Sequence, residues 1–303
     1  MFVGATLLIS AGDESGQFWD NPWARPWHLI LSLQVVIWVA SVAWLWRPLF
    51  RPDPARDNHV SLKMWPLGGA LVVVLALVAL STAIPPDFAR RAADATKLPH
   101  LDLKMRIFNF LGATVATLHV WGILSVHGQV SLDLRRLREG RNALEGEALS
   151  KAVVRYQKLR EQLHGFVGAV GTIIGGAALS VGMLRNLGSS SRFPTEPVLV
   201  RSSWLSAEDV LALGLYLTIL LAILFVPAHH AMSLMGNELA ERLWPPLPRQ
   251  DESWKKWQDE QTAVRGYLGL QRRPLEVLQA SLSTLAPLVG SVSALALGVG
   301  NGP

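Results

Sequence analysis

The chain has no cysteine. That excludes disulfides, thiolate zinc sites, iron–sulfur clusters and a thiol nucleophile. Charge is scarce as well. Asp, Glu, Lys and Arg make up 17% of the 303 residues, against about 25% in a soluble domain. Charge is missing altogether from six windows: 26–46, 64–86, 107–132, 162–184, 210–237 and 277–303. These windows hold about half of the chain. So long a set of uncharged runs excludes an ordinary soluble enzyme and a disordered chain. Also absent are a Walker A loop, a GxGxxG opening a helix after a strand, a GxSxG elbow and any paired zinc spacing. No stretch carries the motif set of a nameable family.

What is present reads as membrane. A spanning helix needs roughly 20 mostly apolar residues, and every window is long enough. The fold class expected is an all-α integral membrane protein with six transmembrane helices and cytoplasmic amphipathic helical extensions. The spans fall at about Trp27–Trp46, Pro66–Ile84, Ile107–Val126, His164–Leu184, Val210–Met232 and Leu275–Val299. Arg47-Pro48 and Arg51-Pro52-Asp53-Pro54 are expected to stop the first, and Pro85-Pro86 the second, because proline cannot continue a helix. Twelve Trp suit membrane interfaces, where an apolar ring with a water-seeking N–H sits best. The 21 Arg to 7 Lys suggest a GC-rich bacterial coding bias. Residues Met1–Gly12 read as a loose lead-in, since a cleaved signal would need a basic n-region.

Counting Lys and Arg orients the spans. Loops 1–2, 3–4 and 5–6 hold 19 of them and the other side holds nine. The positive-inside rule then puts those three loops in the cytoplasm and both termini outside an inner (plasma) membrane. The chain divides into an extracytoplasmic tail (1–26), spans one to three (27–126), a cytoplasmic helical segment (127–163), spans four and five (164–232), a cytoplasmic or interfacial segment (233–273) and the sixth span with its tail (274–303).

The cytoplasmic segments have helical periodicity. Leu149, Val153, Tyr156, Leu159, Leu163 and Phe166 recur on one face, with Arg155, Lys158, Arg160 and Glu161 on the other. No breaker precedes His164, so this helix is expected to run into the fourth span. Gly140 and Asn142 mark a turn before it. The fifth span is expected to continue through Leu239 and Leu243 to Pro245-Pro246. A further helix from about Asp251 puts Trp254, Trp257, Gln261, Val264 and Leu268 on one stripe, beside Lys255 and Lys256. It reads either as a helix lying on the inner membrane face or as one packed on the loop 3–4 helices. Ser206 and Asp209 have the spacing of a capping box for the fifth span. Loop 4–5, with Gly188-Ser189-Ser190-Ser191 and two prolines, reads as flexible.

Candidate chemistry is sparse. The spans hold no charged side chain at mid-depth, which argues against an ion-coupled transporter or proton pump but not against a channel. Four histidines fall at expected cytoplasmic span ends: His127, His164, His229 and His230. His119 lies about 12 Å deeper than His127 at 1.5 Å per residue. Imidazoles at one depth suit a metal or haem site, although anchoring at the headgroup level explains them equally. Otherwise no cofactor is expected. The fourth span carries small residues at packing spacing: Gly168, Gly171, Gly175, Ala178 and Gly182. Such a stripe lets backbones approach closely, against a helix of the same chain or of a second copy. The sixth span carries Ser283, Thr284 and Ser291 around Pro287, a kinked hydroxyl-bearing helix that suits a pore. The basic run Arg135, Arg136, Arg138 and Arg141 suits phospholipid headgroups rather than nucleic acid.

The function expected is a non-catalytic membrane docking or assembly component, partnered by the bilayer, a cytoplasmic protein and a second copy of itself. The alternatives are a channel or permeabilising pore and, next, a membrane enzyme with a histidine-based haem or metal site.

Overall fold

The computed structural model describes residues 22–50, 101–139, 146–190, 206–244, 253–270 and 274–299. The N-terminal tail to residue 21, the second expected span, Gly140, Asn142, residues 191–205 and Pro245-Pro246 lie outside the described residues. Among the described residues there are six helices and no strand: α1 (Ala24–Phe50), α2 (Leu101–Glu139), α3 (Glu147–Ser190), α4 (Ala207–Leu243), α5 (Trp254–Tyr267) and α6 (Pro274–Val299).

Four of them, α1 to α4, are long and apolar enough to cross a membrane, which fits a membrane location. A hydrocarbon core is about 30 Å thick. At 1.5 Å per residue, α2, α3 and α4 run to roughly 55–65 Å each, so they overshoot it by most of its thickness. α6 begins on Pro274, where the missing N–H costs nothing, and its apolar stretch Leu285–Leu297 is shorter.

Several boundaries differ from those read off the sequence. α1 runs through Arg47-Pro48 to Phe50. Proline so close to a helix end removes only one backbone bond, and that is too little to stop it. α2 runs through the expected end at Val126 to Glu139 without a break, so the third span and the first half of loop 3–4 are one helix. α3 runs through His164 as expected, starting at Glu147 after Gly146 (φ +59°), a left-handed turn that suits glycine. α4 reaches Leu243, as expected, and passes through Pro227. Its start is fixed by the capping box: Asp209 N–H donates to Ser206 Oγ at 3.0 Å, and Ser206 N–H donates to Asp209 Oδ2 at 2.8 Å.

α3 is the hub and meets α1, α2, α4 and α6. In its apolar window 61% of residues are buried, against 28% in each of α1, α2 and α4. One core runs unbroken along α2, α3 and α4, from Val120, Phe166 and Leu221 to Leu137, Val153, Tyr156 and Leu239. A smaller cluster packs Trp23, just before α1, and Trp27 and Leu31 of α1 on Met183, Leu184 and Leu187 of α3.

Candidate functional site

The small-residue stripe of α3 has its partner within the chain. A Cβ on Gly175 would come 3.0 Å from the Ala286 carbonyl oxygen of α6, and one on Gly290 would come 2.5 Å from the Gly175 carbonyl oxygen. Gly182 faces the Ala294 methyl, and Ala178 is fully buried. Gly171 is buried too. Gly168 is different: nothing lies within 4 Å of where its Cβ would be. α4 closes on α6 from the other side, with Gly214 over Ser291, where a Cβ would come 3.0 Å from the Pro287 carbonyl oxygen. Asn186 locks the seam by donating from Nδ2 to the Ala294 carbonyl at 2.8 Å.

Ser291 is fully buried in that seam, and its hydroxyl donates back to the Pro287 carbonyl at 3.1 Å. That hydroxyl is committed to its own helix. Pro287 is in the interior of α6. The side chains of Ser283 and Thr284 lie outside the described residues.

The histidines separate. His119 is fully buried in α2, with Nδ1 2.8 Å from the Val115 carbonyl oxygen and its ring edge-on to Phe166 at 6.5 Å. Phe166 in turn meets Trp44 edge-on at 5.5 Å and lies on Gly122, where a Cβ would come 2.7 Å from its ring. His164 is exposed on α3, and His229 lies along Phe225 with ring centroids 5.2 Å apart. Only His127 and His230 share a place. They line an open groove of about 530 Å³ between α2 and α4, with Ser131, Arg135 and Arg138. Among the described residues no three His, Asp or Glu side chains gather as a metal would need.

The polar ends of α2, α3 and α4, with α5, form a layer held by specific contacts. Arg155 of α3 reaches Asp133 of α2 at 2.7 Å (Nε to Oδ2), and Arg136 stands 4.0 Å from the same carboxylate. Asp133 lies beyond the charge-free run of α2. Burial pushes its carboxyl above the ordinary range, and the Arg155 and Arg136 charges only partly oppose this. Arg242 of α4 pairs with Glu238 at 3.2 Å and donates to the Leu137 carbonyl in the last turn of α2. That carbonyl is one that a helix end leaves unpaired, and a cation there also suits the helix dipole.

α5 is tied on at its C-terminus. Gly269 (φ +64°) adopts the left-handed conformation, Leu270 N–H donates to the Arg265 carbonyl and Gly269 N–H to the Gly266 carbonyl. This is a Schellman motif, which closes a helix end. The Leu268 carbonyl accepts from Tyr156 Oη at 3.2 Å and from Arg160 Nη1 at 3.5 Å, and Gln157 Nε2 donates to the Tyr267 carbonyl at 3.4 Å. Tyr156 is buried against Gly236 of α4, where a Cβ would come 2.6 Å from its hydroxyl. The rest of α5 buries no residue. Trp254 is exposed and stacks edge-on with Trp257 at 5.6 Å, beside Lys255 and Lys256. Apart from this C-terminal tie to α3, α5 stands exposed.

Comparison with protein-family models, curated proteins and solved structures yields no match for this chain.

Sequence reasoning passed over several of these residues. Asp133 and Arg155 are charges on two helices, and only packing pairs them. Gln34 had a signal, being the only carboxamide in the first charge-free window. It is 2% exposed and without a hydrogen-bond partner in the bundle interior.

Proposed function

We propose that this protein is a membrane-integral docking or assembly component whose polar helical layer faces the cytoplasm and carries the interaction. One observation carries this reading. The hydrophobic core continues without a break from the apolar segments into the polar layer, along α2, α3 and α4. Helices that share one core across that boundary act as rigid posts. They hold a folded layer at a fixed height above the bilayer, which a docking platform needs and a flexible loop does not supply.

Two features support the orientation and the partners. The layer carries 11 of the 28 Lys and Arg of the chain, as a cytoplasmic face does. The groove with His127, His230, Arg135 and Arg138 lies where a basic pocket between helices meets anionic headgroups. α5, with its exposed tryptophan and lysines, suits the interface plane. The site in this reading is an inner membrane of a bacterial cell, with both termini outside. The histidines need no metal or haem here, because their chemistry is that of headgroup contact and helix packing.

The test has two arms. Purified protein reconstituted into liposomes should pass no ion flux above empty vesicles. Extraction from native membranes in mild detergent should give a complex whose mass includes a second chain in fixed ratio, and weakening the layer with Arg155→Ala should lower that ratio. Robust flux from the pure protein would establish the pore instead. A lone chain at every extraction condition would end the docking reading.

A further inference from the structure

A cavity of about 400 Å³ lies in the apolar half of the bundle, between α1, α2 and α3, with Leu213 and Leu217 of α4 at its side. Its walls are apolar, from Phe108, Ala116 and Ile173 among others. Of the polar residues on the wall, Ser180 donates to the Ala177 carbonyl, Arg106 and Asn109 are exposed, and two are buried without a partner. Gln34 is 2% exposed, and neither its Oε1 nor its Nε2 has a hydrogen-bond partner. Trp38 is 7% exposed, and its Nε1 is also unpartnered. Three hydrogen-bonding atoms thus belong to residues on the wall of one cavity.

The backbone makes room for both side chains. Gln34 lies against Gly176, where a Cβ would come 3.2 Å from its Cγ and Nε2. The Trp38 ring lies against Gly112, where a Cβ would come 2.8 Å from Cζ2, and is backed by Phe108 with ring centroids 4.5 Å apart. A buried carboxamide without a partner destabilises a fold in any medium and most of all in one that excludes water. A site that holds polar groups unpaired in fixed positions has the form of a ligand pocket: mostly apolar, within the usual size range, with a few placed polar groups.

We propose that this cavity binds an uncharged lipophile whose polar end carries a hydroxyl group. The polar end must accept from Trp38 Nε1–H and the Gln34 amide, and donate to Gln34 Oε1, which a hydroxyl does. The end that meets Gln34 and Trp38 must be neutral, because neither side chain is charged and Arg106, the one charged residue of the lining, is exposed on α2. The rest of the molecule is apolar, to match the walls. Arg106 and Asn109, exposed on α2 at one end of the cavity, mark the entrance. A linear alcohol and a ring-type quinol share this chemistry, and the experiment separates them.

The full chain in lipid nanodiscs is irradiated with a diazirine-bearing dodecanol, and the labelled residues are mapped by mass spectrometry. Labelling is expected on the stretches that line the cavity, at 34–38, 108–116 and 173–177. Gln34→Leu should lower it at least fivefold, and Trp38→Phe about two- to threefold. The matching diazirine dodecane, which has no hydroxyl, should label the unaltered protein there no more than the lipid-facing positions. This arm needs no variant to fold. Loss of the signal on adding reduced ubiquinone-1 would identify a ring quinol as the better occupant, and persistence would identify the linear alcohol. Equal labelling by dodecanol and dodecane, or labelling spread evenly over lipid-facing residues, would overturn the proposal.

Discussion

The two halves of α3 pack by different physics. Its apolar half meets α6 backbone to backbone, through Gly175, Gly182 and Gly290. Its polar half meets α2 and α4 through large buried side chains, Tyr156, Leu159 and Leu163, and through the Asp133–Arg155 pair. A large apolar side chain gains little by leaving lipid for protein, so association there rests on close approach and van der Waals contact. Facing water, the same side chain gains about 25 cal/mol per Å² buried, and bulk becomes the better means. One uninterrupted helix uses both because its surroundings change along its length.

The largest break in this comparison should come from Gly175→Leu. The obstacle is the backbone of Ala286, which cannot rotate away, so the cost exceeds the usual 1–3 kcal/mol of overpacking, at about 4 kcal/mol or more. The expected outcome is loss of the monodisperse species in size-exclusion chromatography. Gly168→Leu, made in the same helix where nothing lies within 4 Å, should elute and melt like the parent. If both variants behave alike, the seam is not the contact that holds α6.

In the polar half, truncation rather than enlargement should do the damage. Leu163→Ala removes a fully buried side chain and is expected to cost about 2–4 kcal/mol in denaturant unfolding. Tyr156→Phe keeps the ring and loses only the bond to Leu268, at about 1 kcal/mol. A Tyr156→Phe loss as large as that of Leu163→Ala would show that the hydroxyl network, not bulk, holds this half.

The ion pair offers a smaller and pH-dependent test. Arg155→Ala leaves a buried carboxylate on Asp133. Fully buried pairs cost 3–5 kcal/mol to break this way, and the partial exposure of Arg155 reduces that to about 1–2 kcal/mol. The folded-state pKa of Asp133 is raised above its unfolded value. Its contribution is therefore fully present below the unfolded pKa and is lost as pH rises through the folded one. Melting temperature measured from acidic to neutral pH should fall through the carboxylate range, more steeply in Arg155→Ala. Asp133→Asn should flatten the profile in both backgrounds. A profile indifferent to Asp133→Asn would remove this carboxylate from the account.

The most local effect belongs to Gly269→Ala. The left-handed backbone there should cost about 1 kcal/mol, and the added methyl also displaces the Arg160 guanidinium that lies against it. Local loosening of α5, read as faster amide exchange at 254–267, should appear before any global change.

Local pattern carried much of the fold into view. The Ser206–Asp209 box, the run of α3 through His164 and the extension of α4 to Leu243 were legible because each depends on neighbours within one or two turns. The stop at Arg47-Pro48 was misread, and the unbroken run of α2 past Val126 to Glu139 was not foreseen. One proline near a helix end is a weak breaker, and the loss of apolar character does not end a helix whose polar residues still favour one. The candidate site was legible only in its parts. Four histidines stood near one depth, yet only His127 and His230 share a groove, because depth leaves rotation about each helix axis undetermined.

The sequence by itself determined that about half of the residues suit an apolar medium and that the rest form helices continuous with those runs. Both follow from composition and from spacing along one chain. Only the tertiary structure decided which glycine meets which backbone, which arginine neutralises Asp133 and where Gln34 stands without a partner. Those outcomes depend on how separate helices rotate and slide against one another, and no local rule encodes that.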